Sequence, residues 1–394
     1  MVQSWNKFCF TGGVLEMAIE LPGEAESGGL WPAAWLMGNL ARATFEDTTM
    51  YMWPWSYNKC GDISQLESKQ EISACEGSPG YGLHAYQGRG APEIDIFEVM
   101  PGHEMPGVGQ VQPFMSSSLQ IAPGVSKALK RPMNGRELNA SYTWYDGLSV
   151  GENGKFNSGF WGQECGPEKD ETVEKVHKYM EDAISVNSRL DETHFRHHHV
   201  YKLEWQPGEH GYLHWYLDDN LLLGIEGKSI STLTGAIIPE EPMYLILNTA
   251  ISHRWGFPEP CPAEQCSACW HCFDCTNPDC QCSLPNGMKN CRTLPAHMRI
   301  DYIRLYQDLE DPSHTIGCSP ISHPTAEFIQ AHAARYRDWE PGSPPSKHTT
   351  TSSLPLVVTV ILTVVVVLAI VLVLYRTCAV QIRRQDYERV PDLM

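Results

Sequence analysis

Positive charge is scarce in this chain. Its 394 residues carry 29 Lys and Arg against 47 Asp and Glu, a formal net charge of −18, and no basic stripe runs through it. Phosphate backbones need such a stripe, so nucleic acid is excluded as a partner, whereas a neutral polysaccharide is compatible with the charge. Helical periodicity is scarce too, while Trp, Tyr, Gly and Pro are plentiful, which points to an all-β domain with long loops. The amino terminus, Met1-Val2-Gln3-Ser4-Trp5-Asn6-Lys7, lacks the apolar core of a signal peptide.

Charge is missing altogether from Leu354 to Tyr375, where Val, Ile and Leu dominate. That run is long enough to cross a hydrocarbon core of about 30 Å at ~1.5 Å per residue, and it lacks the polar positions of a buried core helix. Arg376, Arg383 and Arg384 follow it, whereas the preceding flank is Thr, Ser and Pro with only Lys347 nearby. The positive-inside rule then puts the tail, 376–394, in the cytosol and everything before Leu354 in the lumen or outside the cell. The expectation is a single-pass protein of the secretory pathway or plasma membrane. Such an orientation needs an amino-terminal signal, so the sequence is expected to be incomplete or mis-started, without its signal and first strands. Residues 339–353 form a Pro/Ser/Thr stalk between domain and membrane, a composition suited to O-glycosylation. In the tail, Tyr387-Glu388-Arg389-Val390 has the pattern of sorting signals bound by adaptors, and Cys378 at the membrane face is a palmitoylation candidate.

The 14 cysteines exceed what a cytosolic protein carries and agree with an oxidising compartment. Eight of them, Cys261, Cys266, Cys269, Cys272, Cys275, Cys280, Cys282 and Cys291, crowd into the insertion 261–291. In the cytosol that spacing would read as a zinc module. In a lumen, disulfides are favoured, because the segment has little apolar content with which to build a core. Cys60 and Cys75 are a further candidate pair, and closing a loop of that size contributes about 3 kcal/mol. Thirteen cysteines fall on the lumenal side, an odd count that leaves one for a partner upstream. Asn139-Ala140-Ser141 is an N-glycosylation sequon.

The chemistry concentrates in Glu93-Ile94-Asp95-Ile96-Phe97-Glu98. Glu-Ile-Asp-Ile alternates with the period of a strand, and Phe97 then breaks the alternation. One β-bulge absorbs the extra residue and returns Glu98 to the face of Glu93 and Asp95. Glu93 and Glu98 then stand about four strand steps apart, roughly 13 Å along the backbone at ~3.3 Å per residue. Two long side chains leaning together would close that gap to about 5–6 Å, the separation used by retaining glycosidases. The shorter Asp95 would sit between them, holding a proton or hydrogen bond that keeps one Glu ionised and the other protonated. An exposed acidic edge and a calcium-binding strand are the competing structural explanations.

This stretch resembles the Glu-x-Asp-x-x-Glu signature of glycoside hydrolase family 16, the laminarinase-like jelly-roll enzymes. The flanks resemble one branch, the fungal-type β-glucan synthesis-associated transmembrane proteins. They are Ser4–Phe10, Gly29–Pro32 with Trp35 and Met37–Asn39, Met52–Asn58, Gly88–Pro92, Leu203–Gly208, Glu241–Asn248 and Met298–Tyr306. The resemblance covers roughly the first 330 residues. It implies a concanavalin-like β-jelly-roll sandwich over 1–338, with long disulfide-rich loops, followed by one transmembrane helix over 354–375. It also implies Glu93 as nucleophile, Glu98 as general acid/base and Asp95 as the assisting carboxylate of a β-glucan-active glycosidase or transglycosylase. Trp31, Trp35, Trp53 and Trp55 are candidate sugar platforms, with plain core packing as the alternative for each, and Asn248 lies near the sugar site in the family. No organic cofactor or metal is implied. Some family members carry structural calcium, but no residue set here identifies a calcium site. A non-hydrolytic glucan-binding or wall-assembly factor on the same fold is the second functional class, because fold alone does not give activity.

Elsewhere, residues 2–21 alternate as one or two strands around a turn at Thr11-Gly12-Gly13. Val173, Val176, Met180, Ala183 and Ile184 recur at helical spacing, which predicts a surface helix over 170–190. The run His194-Phe195-Arg196-His197-His198-His199 invites a metal, but neighbours on a strand point to opposite faces, so chelation is discounted. Tyr212–Leu217 is expected to pair with the preceding strand through the turn 207–211. Residues 297–307 read as a final strand.

Overall fold

Between Cys9 and Gly38 the alternating pattern becomes three strands that do not all join one sheet. In a computed structural model of the chain, the residues described are 1–25, 30–50, 52–58, 72, 76–100, 113–122, 124, 147–152, 154–156, 163–165, 179–251 and 294–336. Among them, one six-stranded antiparallel sheet contains β3 (Gly13–Glu20), β7 (Leu148–Val150), β11 (His199–Gln206), β12 (Tyr212–Leu217), β13 (Asn220–Glu226) and β15 (Arg299–Tyr306). A ten-stranded sheet contains β1 (Val2–Gln3), β2 (Cys9–Thr11), β4 (Leu30–Gly38), β5 (Glu93–Met100), β6 (Phe114–Ile121), β8 (Gly154–Phe156), β9 (Gln163–Cys165), β10 (Tyr179–Arg189), β14 (Met243–Ile251) and β16 (Thr315–Ile316). The domain is an all-β sandwich, as its composition predicts.

One core joins the sheets. Leu15, Met17 and Ile19 of β3, Leu203 and Trp205 of β11 and Trp215 of β12 meet Leu36 of β4, Ile94 and Phe97 of β5 and Ile184 of β10. The turn at Thr11-Gly12-Gly13 forms, but it carries the chain from one sheet to the other instead of closing a hairpin. Gly12 and Gly13 both take positive φ, 69° and 112°, and a Cβ on Gly13 would lie 2.5 Å from the Tyr306 carbonyl oxygen. The expected hairpin through 207–211 does form, with Gln206 opposite Tyr212.

The helix predicted around 170–190 is overturned where it is described: Tyr179–Arg189 is strand β10, paired with β6 from Asp182 to Arg189 and with β9 over its first three residues. Ile184 and Val186 enter the core, while Ala183, Ser185 and Asn187 occupy the other face and are also buried. Burial on both faces erases the in–out alternation that would have revealed a strand.

A disulfide that sequence reasoning did not assign joins Cys9 of β2 to Cys318, across a separation of 309 residues. A loop that long puts its contribution toward the upper end of the ~2–5 kcal/mol typical of native bridges. Beside it the buried Asn39 accepts from the Asn6 N–H at 3.0 Å and donates to Thr325 Oγ1 at 3.1 Å. The matched flanks Ser4–Phe10 and Met37–Asn39 thus serve architecture.

No helix among the described residues is long and apolar enough to cross a membrane. The run 354–375, the stalk, the tail with Tyr387–Val390, Cys60, Cys75, Asn139 and the insertion 261–291 all lie outside the described residues.

Candidate active site

Strand β5 carries the irregularity that its sequence predicts. Its register against β6 sets Glu93 opposite Gln120, Asp95 opposite Ser118 and Glu98 opposite Ser116, so one residue is skipped between Asp95 and Glu98. Against β4 the same slip falls between Ala34 and Trp35. Ile94, Ile96 and Phe97 all go to the core, and Phe97 packs on Tyr201 with ring centroids 4.6 Å apart. Glu93, Asp95 and Glu98 are left together on the opposite face, four strand steps from first to last.

Each carboxylate sits in a distinct shell of donors. Asp95 is 1 % exposed. Its Oδ2 accepts from Ser118 Oγ at 2.6 Å and from Gln120 Nε2 at 3.2 Å. Its backbone oxygen accepts from the Trp215 indole of the opposing sheet at 2.9 Å, which fixes the bulge from behind. Glu93 is half-buried and its Oε2 accepts from the Trp53 indole at 2.6 Å. Glu98 faces Trp31, whose indole N–H favours its ionised form.

Burial nevertheless dominates. It pushes the carboxyl pKa of Glu93 and Glu98 well above the ordinary 4.5, with repulsion from Asp95 adding to both and from Glu98 adding to Glu93. Asp95 is also raised by burial, against the pull of Ser118, Glu93 and Gln120. Glu93 and Asp95 share a hydrogen bond that favours the proton on Glu93 and the charge on Asp95. The three titrate as one coupled group.

Two strands flank the acids. On β4, Trp35 lies opposite Asp95 and Ala33 opposite Glu98. On β14, Asn248 lies opposite Ala33, and its Oδ1 accepts from the Trp35 indole at 2.8 Å. Trp31, Trp35 and Asn248 therefore share a neighbourhood with the acids, and all three are half-buried. Trp55 does not belong with them. It is 0 % exposed and packs edge-on against Tyr57, so it is core and presents no face to a sugar.

Sequence reasoning missed the polar floor beside the acids. Ser116 Oγ and Ser185 Oγ lie 2.7 Å apart, and Ser118, Gln120 and Asn187 complete the row, buried but for half-buried Gln120. The run Ser116-Ser117-Ser118, with Gln120 beyond it in a strand whose other residues are apolar, was the available signal. Sequence reasoning also missed the buried pair behind the site: Arg89 Nε and Nη2 donate to Glu241 Oε1 and Oε2 at 2.7 and 2.9 Å, and the Gly90 N–H to Oε1 at 3.2 Å. Gly90 admits no side chain, because a Cβ would stand 2.3 Å from the Trp55 carbonyl oxygen. This network delivers the chain into β5.

The family model "Beta-glucan synthesis-associated protein SKN1/KRE6/Sbg1" matches residues 1–147 and 286–344. The chain belongs to that family. It is 30 % identical over 375 residues to the beta-glucan synthesis-associated protein SKN1 of Saccharomyces cerevisiae, covering 86 % of this chain and 39 % of that protein. To KRE6 of the same yeast it is 29 % identical over 369 residues, covering 86 % and 41 %. This member of the SKN1/KRE6/Sbg1 family thus spans about two fifths of the length of the curated relatives it matches. Among solved structures it is similar to the laminarinase catalytic domain of Thermotoga maritima MSB8, at 17 % identity over 78 % of this chain and 68 % of that one, with a TM-score of 0.34. The laminarinase of Flavobacterium sp. UMI-01 matches at 17 % identity over 77 % and 71 %, with a TM-score of 0.35.

Proposed function

We propose that this SKN1/KRE6/Sbg1 family member is a retaining glycosidase or transglycosylase acting on β-glucan from a jelly-roll domain tethered to a membrane by residues 354–375. The observation that carries this is the bulged β5, which sets Glu93, Asp95 and Glu98 on one face with burial raising all three pKa values. Glu93 passes the proton it shares with Asp95 to that carboxylate, attacks the anomeric carbon as an anion and forms a glycosyl ester as the glycosidic C–O bond breaks. Glu98, held protonated by its raised pKa, passes its proton to the departing oxygen. It then takes a proton from the water or sugar hydroxyl that attacks the ester and releases Glu93. Asp95 hydrogen-bonds Glu93 and keeps the charge when the proton sits on Glu93, so it positions the nucleophile and offsets its change of charge.

Trp31 and Trp35 offer indole faces to sugar rings beside the acids, with Asn248 fixing Trp35 and Trp53 fixing Glu93. The relatives' names say "Beta-glucan synthesis-associated", which favours a β-glucan substrate and a sugar acceptor over water; we read that glucan as β-1,3- or β-1,6-linked, in a cell wall or store. The domain faces the lumen or exterior and the tail the cytosol. A wall-assembly factor that binds glucan without cleaving it is the alternative. Purified full-length chain incubated with β-1,3-glucan oligosaccharides, with products weighed by mass spectrometry, separates the two. Elongated or shortened oligosaccharides that vanish in Glu93→Gln and Glu98→Gln support the enzyme. Glucan binding without turnover, unchanged by both substitutions, establishes the binding factor instead.

A further inference from the structure

The polar floor beside the acids does more than fill the sheet. Asp95 is 1 % exposed, and a carboxylate taken that far out of water needs donors to stay charged. Among the described residues no Lys, Arg or His contacts it. The charged groups facing it are Glu93 and Glu98 of its own strand, and both repel its charge. β4 presents Trp35 opposite Asp95, and the other sheet presents the Trp215 indole to its backbone oxygen. Support for the carboxylate therefore comes from β6, where Ser118 stands opposite Asp95 and Gln120 opposite Glu93. Both donate to the same oxygen, Oδ2, from Ser118 Oγ at 2.6 Å and from Gln120 Nε2 at 3.2 Å. Ser118 is itself 1 % exposed, and Ser185, its neighbour across on β10, is paired instead with Ser116 at 2.7 Å.

We propose, on the reading that Glu93 is the nucleophile, that Ser118 and Gln120 are positioning residues that keep the Glu93–Asp95 pair singly charged at the working pH. With one proton between the two carboxyls, Glu93 can pass it to Asp95 and attack as an anion. With a proton on each, Asp95 has no room for another and Glu93 stays neutral. Burial pushes the pair toward that inactive form. Two hydrogen bonds on one oxygen hold it off, because such donors favour a carboxylate over the acid. They also leave Oδ1 as the atom that takes the proton from Glu93. The same donors oppose that transfer, so the proton rests on Glu93 until its bond to carbon forms.

The test is the pH profile of kcat/KM on β-1,3-glucan oligosaccharides, for the full-length parent and Ser118→Ala. Loss of a hydrogen bond to the charged form should move the acid limb up by about one to two pH units. Gln120→Met removes the longer bond and should move the limb the same way by less. Ser118→Thr keeps the hydroxyl and should restore the parent's limb. A serine that only fills space would lower the rate at every pH and leave the limb in place, which overturns the assignment. Infrared difference spectra of the same chains follow the protonated-carboxyl stretch with pH, its band identified by its loss in Glu93→Gln. Its midpoint should rise in Ser118→Ala whether or not glucan is turned over. A parent without turnover sinks the enzyme reading alone, whereas an unmoved infrared midpoint overturns the role of Ser118. Circular dichroism identifies any variant that fails to fold, and Gln120→Met, at a half-buried position, stands in if Ser118→Ala is one.

Discussion

The two sheets of this domain treat polarity in opposite ways. In β11 and β12, Tyr201, Leu203, Trp205, Leu213, Trp215 and Leu217 point inward, and Lys202, Glu204, His214 and Tyr216 alternate with them on a half-buried outer face. In β5, β6 and residues 183–188 of β10 almost everything is buried, yet the face away from the core holds Asp95, Ser116, Ser118, Ser185 and Asn187. Regular alternation marks a strand that only supports. A strand that buries carboxylates must meet a desolvation cost, which persists where the chemistry requires it.

That contrast can be broken from either side. The largest effect should come from β5 itself: Glu93→Gln should abolish turnover of β-1,3-glucan oligosaccharides. Glu98→Gln should lower kcat by about 10²–10⁴-fold, the usual worth of a general acid, as read by initial rates. Next is the support behind the site. Arg89→Met strands the buried Glu241 carboxylate and should cost about 3–5 kcal/mol in denaturant unfolding. Trp53→Phe removes a hydrogen bond to Glu93 worth about 1.5–3 kcal/mol, so kcat/KM should fall roughly 10–100-fold with the fold intact.

The pH dependence of stability tests the same burial cost. With its folded pKa raised above 4.5, Glu98 holds more protons folded than unfolded. Its stability contribution is therefore complete below about 4.5 and is lost as pH rises through the folded pKa. Glu98→Gln should then melt higher than the parent at neutral pH, and the difference should close as pH falls toward 4.5. The smallest effect belongs to the regular sheet: Lys202→Met on β11 breaks its contact with exposed Asp219 and its cation–π contact over the Tyr216 ring, and should change stability by about 1 kcal/mol or less.

The legible parts of the sequence were those where local pattern and tertiary role agree. Glu93–Glu98 announced its bulge because Phe97 broke a period of two, and the hairpin at 207–211 was set by its own Pro-Gly turn. β10 was misread because apolar residues at spacings of three and four imitate a helix when a strand is buried on both sides. Cys9–Cys318 was out of reach because no local pattern couples residues 309 apart. Trp55 could not be told from Trp53 by sequence, though two residues apart one is core and the other hydrogen-bonds Glu93. His194 and His199 met only through a turn that the histidine run concealed.

Trapping the covalent intermediate tests the central claim most directly. The full-length chain would be treated with an activated 2-deoxy-2-fluoro β-1,3-gluco-oligosaccharide, which slows breakdown of a glycosyl-enzyme, and its peptides mapped by mass. The account predicts one adduct, on Glu93, present in the parent, retained in Glu98→Gln because the leaving group needs no proton, and absent from Glu93→Gln. An adduct on Glu98, or none in a chain that still binds glucan, would contradict it.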